Sequence, residues 1–193
     1  MMIGELPTAL EVGGREYSIR SDYRVMLNIF RAFGDPDLDE REKCYVCMRC
    51  LYIDYDSIPQ GDMQEAAEKA YWFADGGNMP HSENLDGIKT FDWEQDEGIM
   101  FPAINKAAGY ETRAVPYMHW WTFLGLFGVI GDGLFAQVLH IRGKLAKGER
   151  LDKWEREFYR ERRSMVDLKS RLTEEERLAE EADAAFIKEL LGE

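Results

Sequence analysis

The sequence is short of the residues from which most site chemistry is built. Its 193 residues include three histidines and three cysteines. Neither a Walker-type phosphate loop nor a G-x-G-x-x-G turn is present. No Ser or Cys sits in a G-x-S-x-G elbow, so nucleophilic catalysis has no visible kit, and no enzymatic activity is expected. Positive charge is scarce too: 24 Lys and Arg stand against 37 Asp and Glu, a formal net charge of -13. Phosphate-backbone binding needs a clustered basic surface, so no nucleic-acid partner is expected. Arg160, Arg162 and Arg163 form the one dense basic cluster, and flanking acidic residues make it a solvated helix face. Long apolar runs are missing. The greasiest stretch, "YMHWWTFLGLFGVI" (117–130), falls well short of the ~20 residues that cross a bilayer. The start, MMIGELPTAL, lacks the basic and apolar segments of a secretion signal. With an odd number of cysteines, a reducing cytoplasm and no membrane partner are expected.

What is present is helical periodicity behind one short β signal. "ALEVGGREYSI" reads as a hairpin, with Leu10 and Val12 on one arm, Tyr17 and Ile19 on the other, and Gly13-Gly14 as the turn. Two strands alone are marginal, so the hairpin must lie on something. Val25, Met26, Ile29, Phe30 and Phe33 then form a helical stripe behind a Ser21 or Asp22 cap, stopped at Gly34. Further helices are predicted from the acidic turn near Asp39 to about Ile53, and from about Asp62 to Phe73. Residues 74–90, rich in Gly, Asn and Asp, read as a loop or linker. "FDWEQDEGIMFPAINKAAGY" suggests a helix capped by Asp92 with Gln95, kinked at Pro102 and ended by Gly109.

Pro116 suits the first turn of the next helix. Its apolar residues cover most of the circumference, which predicts a surrounded central helix. The one non-apolar stripe, His119, Thr122, Gly125 and Gly128, would let a neighbouring element approach closely. "LFAQVLHIRGKL" gives another amphipathic helix ending near Gly148. The reading is a mainly α fold with a small N-terminal β-hairpin and a charged helical extension. Its domains are 1–148, the helical core, and 149–193, the extension.

That boundary rests on charge. Residues 1–149 carry 14 basic and 24 acidic side chains, whereas residues 150–193 carry 10 and 13 in a much shorter span. Counting sevens from Leu151 gives Phe158, Met165, Leu172, Ala179 and Phe186, all apolar. The companion seam, Trp154, Glu161, Leu168, Glu175, Ala182 and Glu189, is half acidic, which is poor for a coiled coil. Thr173 and Glu176 form a fresh capping box. Two weakly amphipathic helices, 150–171 and 174–191, follow. Such segments dock on a partner or protrude, and Trp154, Phe158, Met165, Leu168, Leu172 and Phe186 are the candidate protein-binding residues.

Other candidates have plainer explanations. Cys44, Cys47 and Cys50 have cluster-like spacing, but an iron–sulfur cube wants a fourth cysteine and zinc wants another ligand. At helical spacing of three, they suit small core thiols. Asp92, Glu94, Asp96 and Glu97 could be taken for a metal or acid–base site, yet carboxylates in a first helical turn are stabilised by its dipole. His81, His119 and His140 read as hydrogen-bonded structural histidines. No metal and no cofactor are expected.

Three stretches, taken in order, carry a resemblance: "LPTALEVGGREYSIRSDYRVMLNIF", "FDWEQDEGIMFPAI" and "MHWWTFLGLF…LHIRG". Together they resemble the bacteriophage Gp-fifteen family of long-tailed phages and prophages of Gram-positive bacteria. The resemblance covers roughly Leu6 to Gly143. Members lie in the tail morphogenesis region just before the tape-measure protein. The resemblance therefore implies a tail assembly chaperone in the bacterial host cytoplasm. Its partners would be the tape-measure protein, the tail tube protein and further copies of itself. A structural tail or connector subunit retained in the virion is the rival reading. The family supplies no catalytic residues.

Overall fold

A computed structural model describes residues 4–77, 89–169, 171 and 173–179. The chain is mainly helical, with one small N-terminal β-hairpin. Strands β1 (Ala9–Val12) and β2 (Arg15–Ser18) pair antiparallel, with Leu10 opposite Tyr17 and Val12 opposite Arg15. Gly13 and Gly14 both have positive φ, 57° and 74°, the two-residue turn whose twist matches its strands. The hairpin does lie on something. Leu10, Val12, Tyr17 and Ile19 are buried, and the Glu65 carboxylate accepts the Gly13 amide at 2.9 Å.

The helices are α1 (Tyr23–Phe33), α2 (Glu40–Leu51), α3 (Met63–Ala74) and α4 (Glu97–Ala108). They are followed by α5 (Trp120–Gly128), α6 (Leu134–Ala146), α7 (Lys153–Glu161) and α8 (Arg163–Val166). Asp22 caps α1 by accepting the Arg24 amide, and Asp39 with Glu42 closes a capping box on α2. After α2 the chain runs back along β2, where the Ile53 amide donates to the Ser18 carbonyl at 3.0 Å.

Several expectations are corrected. Asp92 does accept the Glu94 and Gln95 amides, but it caps only a turn; the regular helix begins at Glu97 behind Asp96. Pro102 does lie inside that helix, and exposed Gly98 leaves the freed carbonyl to water. Pro116 lies outside α5, because His119 is its N-cap. The stripe of Thr122, Gly125 and Gly128 is exposed, and a Cβ at either glycine would meet nothing within 4 Å. Among the described residues, no neighbour approaches there. The 150–171 helix is split: Arg162 leaves helical geometry (φ -123°, ψ 29°), and the chain is extended again from Asp167. Residues 174–179 are helical behind the foreseen Thr173–Glu176 capping box. The rest of the 174–191 expectation, and most of the 74–90 loop, lie outside the described residues.

Two cores result. The larger joins the hairpin to α1–α5 and the start of α6 through an aromatic cluster. Its middle is Phe123, stacked on Tyr23 with ring centroids 4.4 Å apart, and Trp120, 5.8 Å from Phe123. The smaller comprises Val138 and Ile141 of α6, Phe158 of α7 and Val166 of α8. The change in charge density at Gly148 is thus not a gap in packing, since α7 and α8 fold back onto α6. Among the described residues, no helix is long and apolar enough to cross a membrane.

Candidate functional site

The motifs that stand out in the sequence are consumed by the fold at two nodes. The first is His119-Trp120-Trp121. The Trp120 indole N–H donates to the Ala74 carbonyl at 2.8 Å, and the Trp121 indole donates to the Phe73 carbonyl at 2.9 Å. The Trp120 indole thereby satisfies a carbonyl at the end of α3 that no described amide reaches, and the Trp121 indole joins the Gly76 amide on the Phe73 carbonyl. His119 accepts the Trp121 amide at Nδ1, so its proton sits on Nε2, which donates to the Pro7 carbonyl at 3.0 Å. The Trp120 amide donates to the Ser21 carbonyl, and the Tyr23 amide to the Met118 carbonyl. One short segment therefore ties the N-terminal arm, the start of α1 and the end of α3 together. Neither nitrogen of His119 is left for catalysis.

The second node joins the acidic segment to "LHIRG". Arg142, buried on α6, makes a two-pronged pair with buried Asp96 at 2.6 and 2.9 Å. It also donates to the carbonyls of Val166 (2.6 Å), Met165 (2.8 Å) and Thr90 (3.1 Å). Asp96 in turn accepts the Asp92 amide. Burial alone would raise the Asp92 carboxyl. Hydrogen bonds from Lys89, the Gln95 amide, Arg171 and the Glu94 amide outweigh it and hold the group well below the usual carboxylate range. The acidic residues thus meet arginine, lysine and backbone donors.

Glu155 of α7 is a buried carboxylate that sequence reasoning missed. It accepts from Lys144 (2.6 Å), His140 (2.8 Å) and the Asp152 amide (2.6 Å). The Lys144 ammonium, the Asp152 amide and His140 hold it down at about 2 against the opposing effect of burial. Arg142 was missed as well. Its signal was its position on the apolar stripe Phe135, Val138, Ile141, where a charge demands a buried partner.

The cysteines lie on α2, Cys47 buried and Cys44 and Cys50 half-buried. Burial, with Cys44 and Cys50 beside it, pushes the Cys47 thiol up to about 12, which leaves it protonated. Among the described residues, no three His, Cys, Asp or Glu side chains are grouped to hold a metal ion. His81 lies outside the described residues.

Four of the six candidate protein-binding residues fall among the described residues. Phe158 is buried against α6, Met165 and Leu168 are half-buried, and Trp154 is 50 % exposed with its ring 5.5 Å from Phe158. Leu172 and Phe186 lie outside the described residues. A different surface carries an open apolar groove of about 380 Å³. Ile99, Pro102 and Ala103 of α4 form one wall, and Val129, Ile130 and Leu134 at the α5–α6 link form the other. Val129 is 67 % exposed. The Lys106 ammonium donates to the Asp132 carbonyl at 3.3 Å across the rim. Such a groove suits the apolar stripe of a partner helix.

Both nodes fall inside the stretch that matches a known family. Residues 2–168 match the family described as Bacteriophage Gp15 protein, and the chain belongs to that family. Searches of curated proteins and of solved structures each returned no significant match.

Proposed function

We propose that this protein is a non-catalytic phage tail morphogenesis factor. More specifically, it is a tail assembly chaperone that binds the tape-measure polypeptide while the tail tube grows. Family membership over residues 2–168 supports the phage assignment. The observation that carries the binding role is the contrast between spent polar groups and an open apolar groove. His119, Asp96, Arg142 and Glu155 are all bonded within the chain, whereas the α4/α5–α6 groove presents Val129, Ile130 and Leu134 outward. A long helical client exposes apolar seams before assembly, and shallow apolar grooves hold such seams through i, i+3, i+4 contacts. The acidic exterior keeps the chaperone–client complex soluble.

The rival reading is a structural subunit retained in the tail. Mass spectrometry of purified particles separates the two. A chaperone is absent from mature virions and present in lysates during assembly; stoichiometric recovery from virions would replace it with the structural role.

A further inference from the structure

Among the described residues no strand pairs the outer edge of β1, which lies in a groove of about 700 Å³, a volume in the range of ligand-binding clefts. The Ile19 amide bonds the Thr8 carbonyl, and Leu10 and Val12 stand opposite Tyr17 and Arg15 next to the turn. In an antiparallel ladder the intervening residues point their backbone groups the other way. Ala9 and Glu11 therefore direct N–H and C=O outward, and no other described residue bonds them. The opposite edge is not free, because Ile53 bonds the Ser18 carbonyl on β2.

Pro7 ends the open edge, its carbonyl already taken by His119. Among the described residues, four glutamates, Glu5, Glu11, Glu16 and Glu68, line the groove against one cation, Lys69. Half-exposed Leu6 and partly buried Trp72 supply its apolar lining. An exposed edge invites strand addition, and charge decides which strand is admitted. A second copy would bring its own Glu11 against this one, and like charges on paired strands repel.

We propose that β1 is a strand-addition site for an extended, basic peptide segment of a partner, with Lys or Arg alternating with apolar residues. The incoming strand bonds Ala9 and Glu11, sets its cations against Glu11 and Glu68, and lays apolar side chains on Leu6 and Trp72. This site is separate from the α4/α5–α6 groove and takes an extended segment rather than a helix, so it stands or falls independently of the tape-measure reading.

The test uses the full chain and a capped heptapeptide alternating lysine with valine, followed by amide NMR. Binding is expected to shift the Ala9 and Glu11 amides and slow their exchange. N-methylating alternate peptide nitrogens should weaken affinity by about tenfold, because it removes ladder hydrogen bonds while keeping the charge. The doubly exposed variant Glu11→Lys/Glu68→Lys should lose binding while keeping the wild-type amide spectrum elsewhere. Equal affinity of the N-methylated peptide would overturn the proposal in favour of surface charge alone. Shifts confined to the α4/α5–α6 groove, or dimerisation through β1 without peptide, would overturn it as well.

Discussion

The two cores of this protein are built on different physics. Around α5 the fold is held by aromatic area: Tyr23, Phe73, Trp120, Phe123 and Phe135 are all but fully buried and interlock ring against ring. Around α6 four apolar side chains do the same work on a small scale, and buried charge supplies the rest. Arg142 gathers Asp96, just ahead of α4, and two carbonyls near the end of α8, while Glu155 gathers Lys144 and His140 of α6. Apolar packing tolerates pH and loses stability with lost volume. A charge-held module is sensitive to pH and to the loss of one partner of a pair. The difference teaches that a segment too polar to make a core can still be fixed to one.

The contrast can be broken from either side. Phe123→Ala should cost about 3–5 kcal/mol, because the cavity sits where no solvent can enter; urea denaturation followed by tryptophan fluorescence measures it. Arg142→Met should cost about as much, 3–5 kcal/mol, by leaving Asp96 buried without its partner. The two separate in a second substitution. Adding Asp96→Asn should restore part of the Arg142→Met loss, whereas no polar change rescues Phe123→Ala.

Next in size is Trp120→Phe, which keeps an aromatic ring but leaves the buried Ala74 carbonyl without its donor, a cost of about 1–3 kcal/mol. Trp121→Phe should cost less, because Trp121 is only half-buried and the Phe73 carbonyl keeps the Gly76 amide as a donor.

Acid sharpens the same comparison. The Glu155 carboxyl is held down at about 2 from an ordinary 4.5, so the folded state prefers it ionised. Its contribution is complete above about pH 4.5 and is lost as pH falls towards about 2. Asp92 shifts in the same direction. Amide exchange in α7 and α8 should rise through that window before exchange in α1 and α5 does, and Glu155→Gln should flatten the pH dependence. The smallest effect is a gain. Gly125→Ala fills open space in the interior of α5 and should stabilise by roughly 0.5–1 kcal/mol.

Much of the larger core was legible because periodicity reports burial. The stripe of α1, the hairpin alternation and the Gly109 stop (φ 78°) depend on neighbours close in sequence. What stayed hidden depends on distant partners. Asp92 caps only a turn, and Asp96 at the helix start gives its carboxylate to Arg142 and the Asp92 amide rather than to a helix amide. That α5 starts at Trp120 follows from Tyr117–His119 pairing with Ser21–Tyr23. The heptad count from Leu151 ran across Arg162 without seeing a break, because Phe158 and Val166 both reach α6 only when the helix bends there. The groove used in the functional reading has no sequence signature either, since α4 and the α5–α6 link are separated along the chain.

Co-expression with the long, helix-rich tape-measure reading frame, followed by size-exclusion chromatography with light scattering, tests the central claim most directly. The account predicts a soluble complex holding several copies of this chain, which Val129→Asp disperses without unfolding the chain because Val129 is largely exposed. A tape-measure product that precipitates regardless of this protein would contradict it.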